Sequence, residues 1–491
     1  MAIEIAGNNT LAYTRAGIQL THYSNLLTFM TETFDLIVIG GGRASALAIA
    51  AAKAGEKVAL IERHKLGGAC PNHGCVPSKL LIGFAEAARA VRHADRHMIE
   101  ASIQSIDTQG IFDSVGDYVA GVDPRYQQRI EQSGVTLIRG EGRFVAEKTI
   151  EVNGRSLSAQ RIVVATGSRP SPAPYPDLPV WTSDDLFPLR DPVPKSLMII
   201  GSGFIGVEMG AFFAGIGIPT RVFARGEKLL GRADADIEKT FAAEFSKEVE
   251  THTQAKLADL QYTEGVDGKQ FTATFDIAGK EEKFSAERVL FAIGRKPNTE
   301  NLDLEKTGLS VDGRGFLPVN DELETSVAGI YATGDVNGRY MLQHAASYEV
   351  QYLRNKFLRG TSGPIDERQI AHAIFSHPEV ASVGHTEEAL QASGTPYVAV
   401  HEDWLASARA MSTRLEYPRI KLLVSPADYS ILGCHLIGPE SSTLMHQVLM
   451  LMHLKNDVRE LLKLIYIHPA LNELFLPATV AAIAEVKKFQ G

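Results

Sequence analysis

One pattern of residues occurs twice in this chain and constrains its fold more than any other feature. A short apolar run, which predicts a β-strand, leads into a loop of closely spaced glycines, and an apolar helix pattern and a second strand follow. Glycine permits the sharp turn from strand to helix and lets backbone N–H groups approach a pyrophosphate. The repeated pattern therefore predicts two βαβ units, each able to bind a dinucleotide.

The first copy contains the loop Gly40-Gly41-Gly42-Arg43-Ala44-Ser45 and a second strand that ends in Glu62. An acid at the end of that strand can bind ribose hydroxyls, so Gly40, Gly42 and Glu62 are predicted to hold the cofactor. Ser45 stands where this pattern usually has its third glycine. Serine is small, and we therefore expect the loop to tolerate it.

The second copy contains Gly201, Gly203 and Gly206 at all three glycine positions of the pattern. Its second strand ends at Ala224 without an acid, and Arg225 follows. A cation at this point suits the 2′-phosphate of NADPH. Arg225 could instead be an ordinary exposed cation, and Glu227 could serve as the ribose ligand of NADH. The sequence thus favours NADPH and leaves NADH possible.

A pair of cysteines, Cys70 and Cys75, lies directly behind the first unit, and the Pro-Ser-Lys that follows predicts the start of a helix. The partial positive charge of a helix N-terminus lowers the pKa of a thiol, so such a pair can cycle between dithiol and disulfide. The alternatives are two inert core residues, or half of a zinc site with His73 between them. Zinc usually takes four closely placed ligands, and Cys434 is isolated in an apolar strand-like run. We predict no metal site.

Charge and composition exclude several classes of function. The net charge of −9 argues against a nucleic-acid or anionic-membrane partner. Residues 197–218 are mostly apolar, but they contain Glu208 and the second glycine loop, which favours a strand and helix over a membrane span. The first thirty residues lack the pattern of a secretory signal. Three cysteines do not make a disulfide framework, so we expect a reducing cytoplasm.

From about Phe34 onward the chain resembles the FAD-dependent pyridine nucleotide-disulfide oxidoreductases, the family of dihydrolipoamide dehydrogenase, glutathione reductase and mycothione reductase. The resemblance rests on motifs in the family's order, which are the two glycine loops, the Cys70/Cys75 segment, Ala165-Thr166-Gly167, Gly294-Arg295, Ala332-Thr333-Gly334-Asp335 and His468-Pro469-Ala470-Leu471-Asn472-Glu473. It implies an α/β fold with two Rossmann-like dinucleotide-binding domains, for FAD and NAD(P)H, and a C-terminal α+β dimerisation domain. The domains it implies are an N-terminal extension (1–33), the FAD-binding domain (34–170), the NAD(P)-binding domain (171–297), a central continuation of the FAD-binding domain (298–369) and the dimerisation domain (370–491).

The resemblance also implies a role for each motif residue. Cys75 would lie against the flavin, Cys70 would meet the substrate, and Lys79 and Glu208 would lie near the reactive face of the flavin. His468, paired with Glu473, would be the acid/base, and it would serve Cys70 of the other subunit of a homodimer. The remaining cofactor-binding residues would be Gly40, Gly42, Ser45, Glu62, Gly167, Gly201, Gly203, Gly206, Arg225, Gly294 and Asp335.

The substrate is predicted to be a small disulfide, reduced by electrons that pass from NAD(P)H through FAD and the Cys70–Cys75 pair, as in mycothione reductase. The alternative is a dihydrolipoamide dehydrogenase, in which the relay runs in reverse from a lipoyl group. A flavin transhydrogenase or oxidase, and a structural role within a larger complex, also remain open. Pro71 and His73 depart from the family's usual aliphatic residues, and His73 places a titratable group beside the dithiol.

Overall fold

The computed structural model describes residues 31–189, 191–265 and 268–491. The expected absence of a leader and residues 1–30 of the predicted N-terminal extension (1–33) lie outside this range. None of the helices in the described residues combines the length and the apolarity needed to span a bilayer.

The described chain alternates strands and helices in its first half and forms an antiparallel sheet near its end. The strands are β1 (Glu32–Ile39), β2 (Val58–Glu62), β3 (Thr136–Arg139), β4 (Arg143–Ala146), β5 (Thr149–Val152), β6 (Arg155–Val164), β7 (Ser168–Pro170), β8 (Leu197–Ile200), β9 (Thr220–Phe223), β10 (Glu250–His252), β11 (Ala255–Gly265), β12 (Gly268–Ile277), β13 (Lys280–Ala286), β14 (Arg288–Phe291), β15 (Arg295–Pro297), β16 (Ile330–Ala332), β17 (His372–Ile374), β18 (Val380–Gly384), β19 (Val398–Asp403), β20 (Arg419–Val424) and β21 (Ile431–Ile437).

The helices of the described chain are α1 (Ser45–Lys53), α2 (Ala69–His73), α3 (Cys75–Arg92), α4 (Thr108–Ala120), α5 (Val122–Glu131), α6 (Phe204–Gly215), α7 (Ala235–Phe245), α8 (Gln343–Arg359), α9 (Glu387–Ser393), α10 (Ala408–Met411), α11 (Ser441–Leu454) and α12 (Phe475–Gln490). Three of the predicted catalytic residues lie near helix N-termini, Cys75 and Lys79 in α3 and Glu208 in α6.

The first predicted unit forms a sheet in the order β3-β2-β1-β6-β5-β4, with β16 also paired to β6. β1 lies parallel to both β2 and β6. Its residues Leu36, Ile37 and Val38 are fully buried, as expected for the continuous apolar run of a parallel strand that is covered on both faces. The predicted strands are confirmed, with their ends shifted by one or two residues.

The second unit forms a parallel sheet in the order β10-β9-β8-β14. Its first loop glycine repeats the backbone contact of the first unit. The Gly40 N–H donates to the carbonyl of the last apolar residue of β2, and the Gly201 N–H donates to Phe223, the last residue of β9. Two copies of one local geometry therefore underlie the two copies of the sequence pattern.

The last third of the chain forms a separate five-stranded antiparallel sheet, ordered β17-β18-β21-β20-β19. Helices α11 and α12 contribute Met445, Val448, Phe475 and Ala478 to a core shared with this sheet. The strand-like runs at 397–401 and 421–424 and the apolar run at 445–454 correspond to β19, β20 and α11, respectively.

The cysteine segment differs from its predicted form. The sequence predicted a loop that becomes a helix at the Pro-Ser-Lys, but Cys70 already lies in the short helix α2, and α3 begins at Cys75 itself. Gly74, with φ −141° and ψ −118°, is the single residue between the two helices. This backbone conformation lies outside the helical region, so the glycine separates α3 from the short helix α2, which stands where the sequence predicted a loop.

Candidate functional site

The protein's own packing requires three of the loop glycines. A Cβ added to Gly40 would lie 2.2 Å from the Ala165 carbonyl oxygen, and one added to Gly201 would lie 2.3 Å from the Ala292 oxygen. At Gly206 the added atom would lie 2.0 Å from the Gly201 oxygen. These glycines allow each loop to approach the neighbouring strand, which is the tight-turn role predicted for them.

Gly203 has no such requirement within the protein. Its φ of −70° and ψ of −177° suit any residue, and an added Cβ would meet no atom within 4 Å. Gly167 likewise faces open space, although its φ of +67° is itself a reason for glycine. The open space beside the Gly203 backbone fits a pyrophosphate that approaches the N-terminus of α6 closely.

Glu62, the acid predicted at the end of β2, accepts hydrogen bonds from the backbone of the first glycine loop and of the residues after β2. The Gly41 N–H donates to Glu62 Oε2 at 2.6 Å, and the His64 N–H donates to Oε1 at 2.7 Å. Ser45 turns its hydroxyl inward, and its Oγ donates to the Gly42 carbonyl oxygen at 2.8 Å. Glu62 therefore shapes the loop as well as lying at the position suited to a ribose.

The two thiols of the candidate redox pair differ in acidity. The hydrogen bond from Cys70 and the nearby Lys79 ammonium lower the pKa of Cys75 to about 7. Cys75 is also the first residue of α3, where the helix N-terminus favours an anion. The bond to Cys75 and burial raise the pKa of Cys70. Cys75 is thus the more acidic thiol of the pair.

Lys79 and Glu208, both predicted to lie near the flavin, form an ion pair one turn into their helices. Lys79 Nζ lies 2.6 Å from Glu208 Oε2, and the Glu208 side chain is 8% exposed. The Phe375 N–H donates to Glu208 Oε1 at 3.0 Å, while the Lys79 ammonium lies 4.7 Å from the Phe375 ring centroid. This ion pair joins the helix of the dithiol to the helix of the second glycine loop.

Asp335 lies at the meeting point of three motifs that are far apart in sequence. The Ser168 hydroxyl donates to Asp335 Oδ2, and Arg295 Nε donates to the same hydroxyl at 2.8 Å. Arg295 Nη2 also donates to the Ser168 carbonyl oxygen at 2.8 Å. Gly167 and Gly294 immediately precede these two residues, so the segments that end the two units meet beside Asp335.

A buried carboxylate that the sequence analysis missed supports the same segment. Glu349, on α8, is fully buried and accepts hydrogen bonds from the Thr333 hydroxyl, the Gly334 N–H and the Asn337 amide. Burial raises its pKa, in opposition to these donors. In the sequence Glu349 is a single glutamate within a helix pattern, six residues after Gln343, and no neighbouring residue indicates that it is buried.

The end of β9 presents the features on which the choice of nicotinamide cofactor depends. Ala224 is buried, whereas Arg225, Glu227 and Lys228 are exposed in succession. Within the described residues Arg225 has no hydrogen-bond or ion-pair partner, so its guanidinium is available to a ligand. Glu227 is also exposed. The geometry is therefore compatible with Arg225 as a ligand of the NADPH 2′-phosphate and with Glu227 as a ligand of the NADH ribose.

The predicted acid/base pair is formed. His468 Nδ1 lies 2.8 Å from Glu473 Oε1, and Glu473 Oε2 accepts from the Ala470 N–H at 2.9 Å. The bond to His468 lowers the pKa of Glu473. The His468 side chain is 75% exposed, and within the described chain its only hydrogen bond is to Glu473. Its Nε2 is therefore accessible from solvent.

Comparison with known proteins identifies the family. The profile of the pyridine nucleotide-disulphide oxidoreductases matches residues 34–349, and that of the dimerisation domain of the same family matches residues 370–479. The chain belongs to this family. It is an FAD-dependent NAD(P)H-disulfide oxidoreductase, and its dimerisation domain indicates a homodimer.

Its relatives include dihydrolipoyl dehydrogenases. That of Geobacillus stearothermophilus is 32% identical over 468 residues, which cover 93% of this chain and 97% of the relative. That of Chlamydia muridarum is 30% identical over 467 residues, which cover 92% and 98%. Among solved structures, the HOCl-induced flavoprotein disulfide reductase RclA from Escherichia coli superposes with a TM-score of 0.80 at 25% identity, covering 91% of this chain and 99% of RclA.

Proposed function

We propose that this protein uses NADPH to reduce a low-molecular-weight disulfide, in the manner of a mycothione reductase, through FAD and the Cys70–Cys75 pair. The observation that carries the proposal is the end of β9, where a buried Ala224 replaces the ribose-binding acid and an unpartnered Arg225 follows. A guanidinium forms bidentate contacts with phosphate, so this end of the strand favours the 2′-phosphate of NADPH. NADPH is a donor, which favours the direction of disulfide reduction.

The residues expected to hold the cofactors follow from the glycine loops. Gly40, Gly42, Ser45 and Glu62 would hold the adenosine and pyrophosphate of FAD, and Gly167, Gly294 and Asp335 would lie along its remainder. Gly201, Gly203, Gly206 and Arg225 would hold the nicotinamide cofactor. When bound, FAD supplies the two-electron chemistry that links a hydride donor to a dithiol.

Reduction of the substrate is a pair of thiol–disulfide exchanges. Cys70 loses its proton to His468, and its sulfur attacks one substrate sulfur. This step forms a mixed disulfide and releases the other half as a thiol that takes the proton back. The Cys75 thiolate then attacks the Cys70 sulfur, releases the second thiol and re-forms the intramolecular disulfide. Each cycle consumes the two electrons of one NADPH together with one proton.

His468 is proposed to act on the Cys70 of the partner subunit. Its exposed position, with Nε2 free of hydrogen bonds to the described residues, supports an action in trans. The neighbouring side chains Ile465 and Ile467 are 100% and 79% exposed, and apolar surface of this kind is typically covered in an obligate dimer. Glu473 holds the imidazole through Nδ1 and leaves Nε2 to exchange protons.

A second candidate is dihydrolipoamide oxidation, with the same exchanges in reverse order. It is favoured by the dihydrolipoyl dehydrogenases of full length among the relatives. Glu227 could then serve as the ribose ligand for NAD. The Cys70–Cys75 pair and the His468–Glu473 pair both count against a flavin transhydrogenase or oxidase, because neither of those activities needs a dithiol or its base. A structural role within a complex would show as co-purification with a lipoylated protein.

A turnover panel with the purified enzyme tests the proposal. NADPH and NADH are each supplied with mycothione disulfide, glutathione disulfide or lipoamide, and dihydrolipoamide is supplied with NAD and NADP. The proposal expects the highest kcat/KM for NADPH with mycothione disulfide or another small disulfide. Higher kcat/KM for dihydrolipoamide with NAD would establish the second candidate in its place.

Replacement of Arg225 by alanine is expected to weaken the use of NADPH and leave that of NADH nearly unchanged. Loss of a charge-assisted phosphate contact costs on the order of 1.5–3 kcal/mol, which corresponds to about 10- to 100-fold in kcat/KM. Steady-state kinetics with both cofactors measure the effect. Arg129→Ala, on the exposed face of α5, is the matched control, and equal losses for NADPH and NADH would make Arg225 a structural residue.

A further inference from the structure

Helix α3, which begins at Cys75, and helix α6, which follows the second glycine loop, run side by side in the same direction. Near their N-terminal ends they are joined by the Lys79–Glu208 ion pair. Farther along, the Ala85 Cβ would lie 2.7 Å from a Cβ added to Gly215. The absence of a side chain at Gly215 therefore allows α3 to lie against the last turn of α6.

A second junction joins the far ends of the same two helices. Arg89 Nη2 donates to the Ala211 carbonyl oxygen, and Arg92 Nη1 donates to that of Gly215. The Gly215 carbonyl belongs to the last turn of α6, where carbonyls lack partners within the helix and favour cations; the Ala211 carbonyl lies one turn earlier. The two arginines of α3 thus supply donors to the C-terminal end of α6.

Arg89 is the central residue of this junction. Its side chain is only 6% exposed, and its Nε lies 2.7 Å from Glu248 Oε2. Glu248 also faces His93 Nε2 at 3.4 Å and His377 Nε2 at 3.6 Å. Burial and the charge of Arg89 lower the pKa of His377 to about 4, so that His377 is neutral at pH 7. The buried Arg89 guanidinium is therefore a principal countercharge of Glu248.

We propose that Arg89 is a positioning residue for hydride transfer, because it fixes the helix of Cys75 in register against the helix of the second glycine loop. Arg89 lies fourteen residues after Cys75, about 21 Å along the helix axis, so it touches neither cofactor nor substrate. With one junction near each end, α3 and α6 cannot slide or pivot against each other. The inference rests on the family's electron relay and not on the proposed substrate.

The test separates the two halves of the reaction. In Arg89→Met combined with Glu248→Gln, which leaves no buried charge unpaired, the bleaching of bound FAD on mixing with NADPH should slow about 10- to 100-fold, the effect of a misplacement near 1 Å. Reoxidation of dithionite-reduced enzyme by the small disulfide dithiobis(nitrobenzoate) should keep its rate, because the replacements leave the segment from Cys70 to Cys75 unchanged. Arg89→Lys, which keeps the charge and can reach fewer acceptors, should give an intermediate rate.

Two further measurements distinguish positioning from general destabilisation. Hydrogen exchange of the apoprotein should increase over residues 201–215 in the Arg89 variants and stay unchanged in Arg129→Met, a control on the exposed face of α5. If the double variant fails to fold, Arg89→Lys carries the test alone. Equal slowing of both half-reactions, or a lowered melting temperature with unchanged bleaching and exchange, would overturn the proposal. Neither result would depend on which disulfide is the natural substrate.

Discussion

Cys70→Ser should abolish disulfide turnover, with a loss on the order of 10⁴-fold or more, because serine cannot form the mixed disulfide. The variant should nevertheless show a long-wavelength charge-transfer absorption between the Cys75 thiolate and FAD without prior reduction, since Cys75 then has no disulfide partner. In the intact pair the hydrogen bond from Cys70 and the Lys79 ammonium lower the pKa of Cys75 to about 7. The variant keeps Lys79, so the band should grow as the pH rises through the pKa of Cys75 and fade below it. Absorption spectra of the FAD-loaded variant across this pH range measure both features.

Cys75→Ser and Cys434→Ala complete the comparison. Cys75→Ser should remove the band at every pH, whereas Cys434→Ala should keep both the band and turnover, because Cys434 is buried in β21. Full disulfide reductase activity in Cys70→Ser would contradict the proposed relay. A band that persists in Cys75→Ser would show that the charge-transfer thiolate is not Cys75.

The second large effect concerns His468, whose replacement by alanine should lower turnover about 10²- to 10⁴-fold, as for the loss of a general acid/base. Co-expression with Cys70→Ser should restore activity in the heterodimer. One of its two sites then combines an intact Cys70 with an intact His468, so about half of wild-type activity per dimer is expected from two-fold symmetry. Purification with two different affinity tags isolates the heterodimer for assay.

A reciprocal pairing provides the control. A chain that carries both replacements is paired with a wild-type chain, and each composite site then lacks one of the two residues. This heterodimer should be nearly inactive if His468 acts in trans, and it should retain about half of the activity if the site lies within one chain. The opposite pattern in the two pairings would therefore refute action in trans.

The parts of the site that could be predicted are those that local sequence encodes. A strand, closely spaced glycines and a helix form one continuous segment, so Gly40, Gly201 and Gly206 were placed by spacing alone. The His468–Glu473 pair likewise spans five positions. The roles of Lys79 and Glu208 came from the family resemblance, and the structure adds their 2.6 Å contact.

The parts that could not be predicted depend on long-range contacts. Ser168 and Arg295 meet although 127 positions separate them, and Arg89 and Glu248 meet across 159. A charged residue in a helix pattern reads as exposed, and only the tertiary structure reveals that Arg89 and Glu349 are buried. The short helix α2 was also missed, because its five residues include Pro71 and are followed by Gly74, a composition that favours a loop.

The central claim is that electrons from the nicotinamide cofactor pass through the Cys70–Cys75 pair, and thiol labelling after reduction tests it most directly. The FAD-loaded enzyme is oxidised, freed of small thiols, reduced anaerobically with one equivalent of NADPH and alkylated under denaturing conditions. Peptide mass spectrometry then measures the labelled fraction of each cysteine. The account predicts that Cys70 and Cys75 change together from unlabelled to labelled, while Cys434 is labelled equally with and without NADPH. If FAD is reduced and reoxidised by the disulfide substrate while Cys70 and Cys75 remain unlabelled throughout, the relay does not run through this pair.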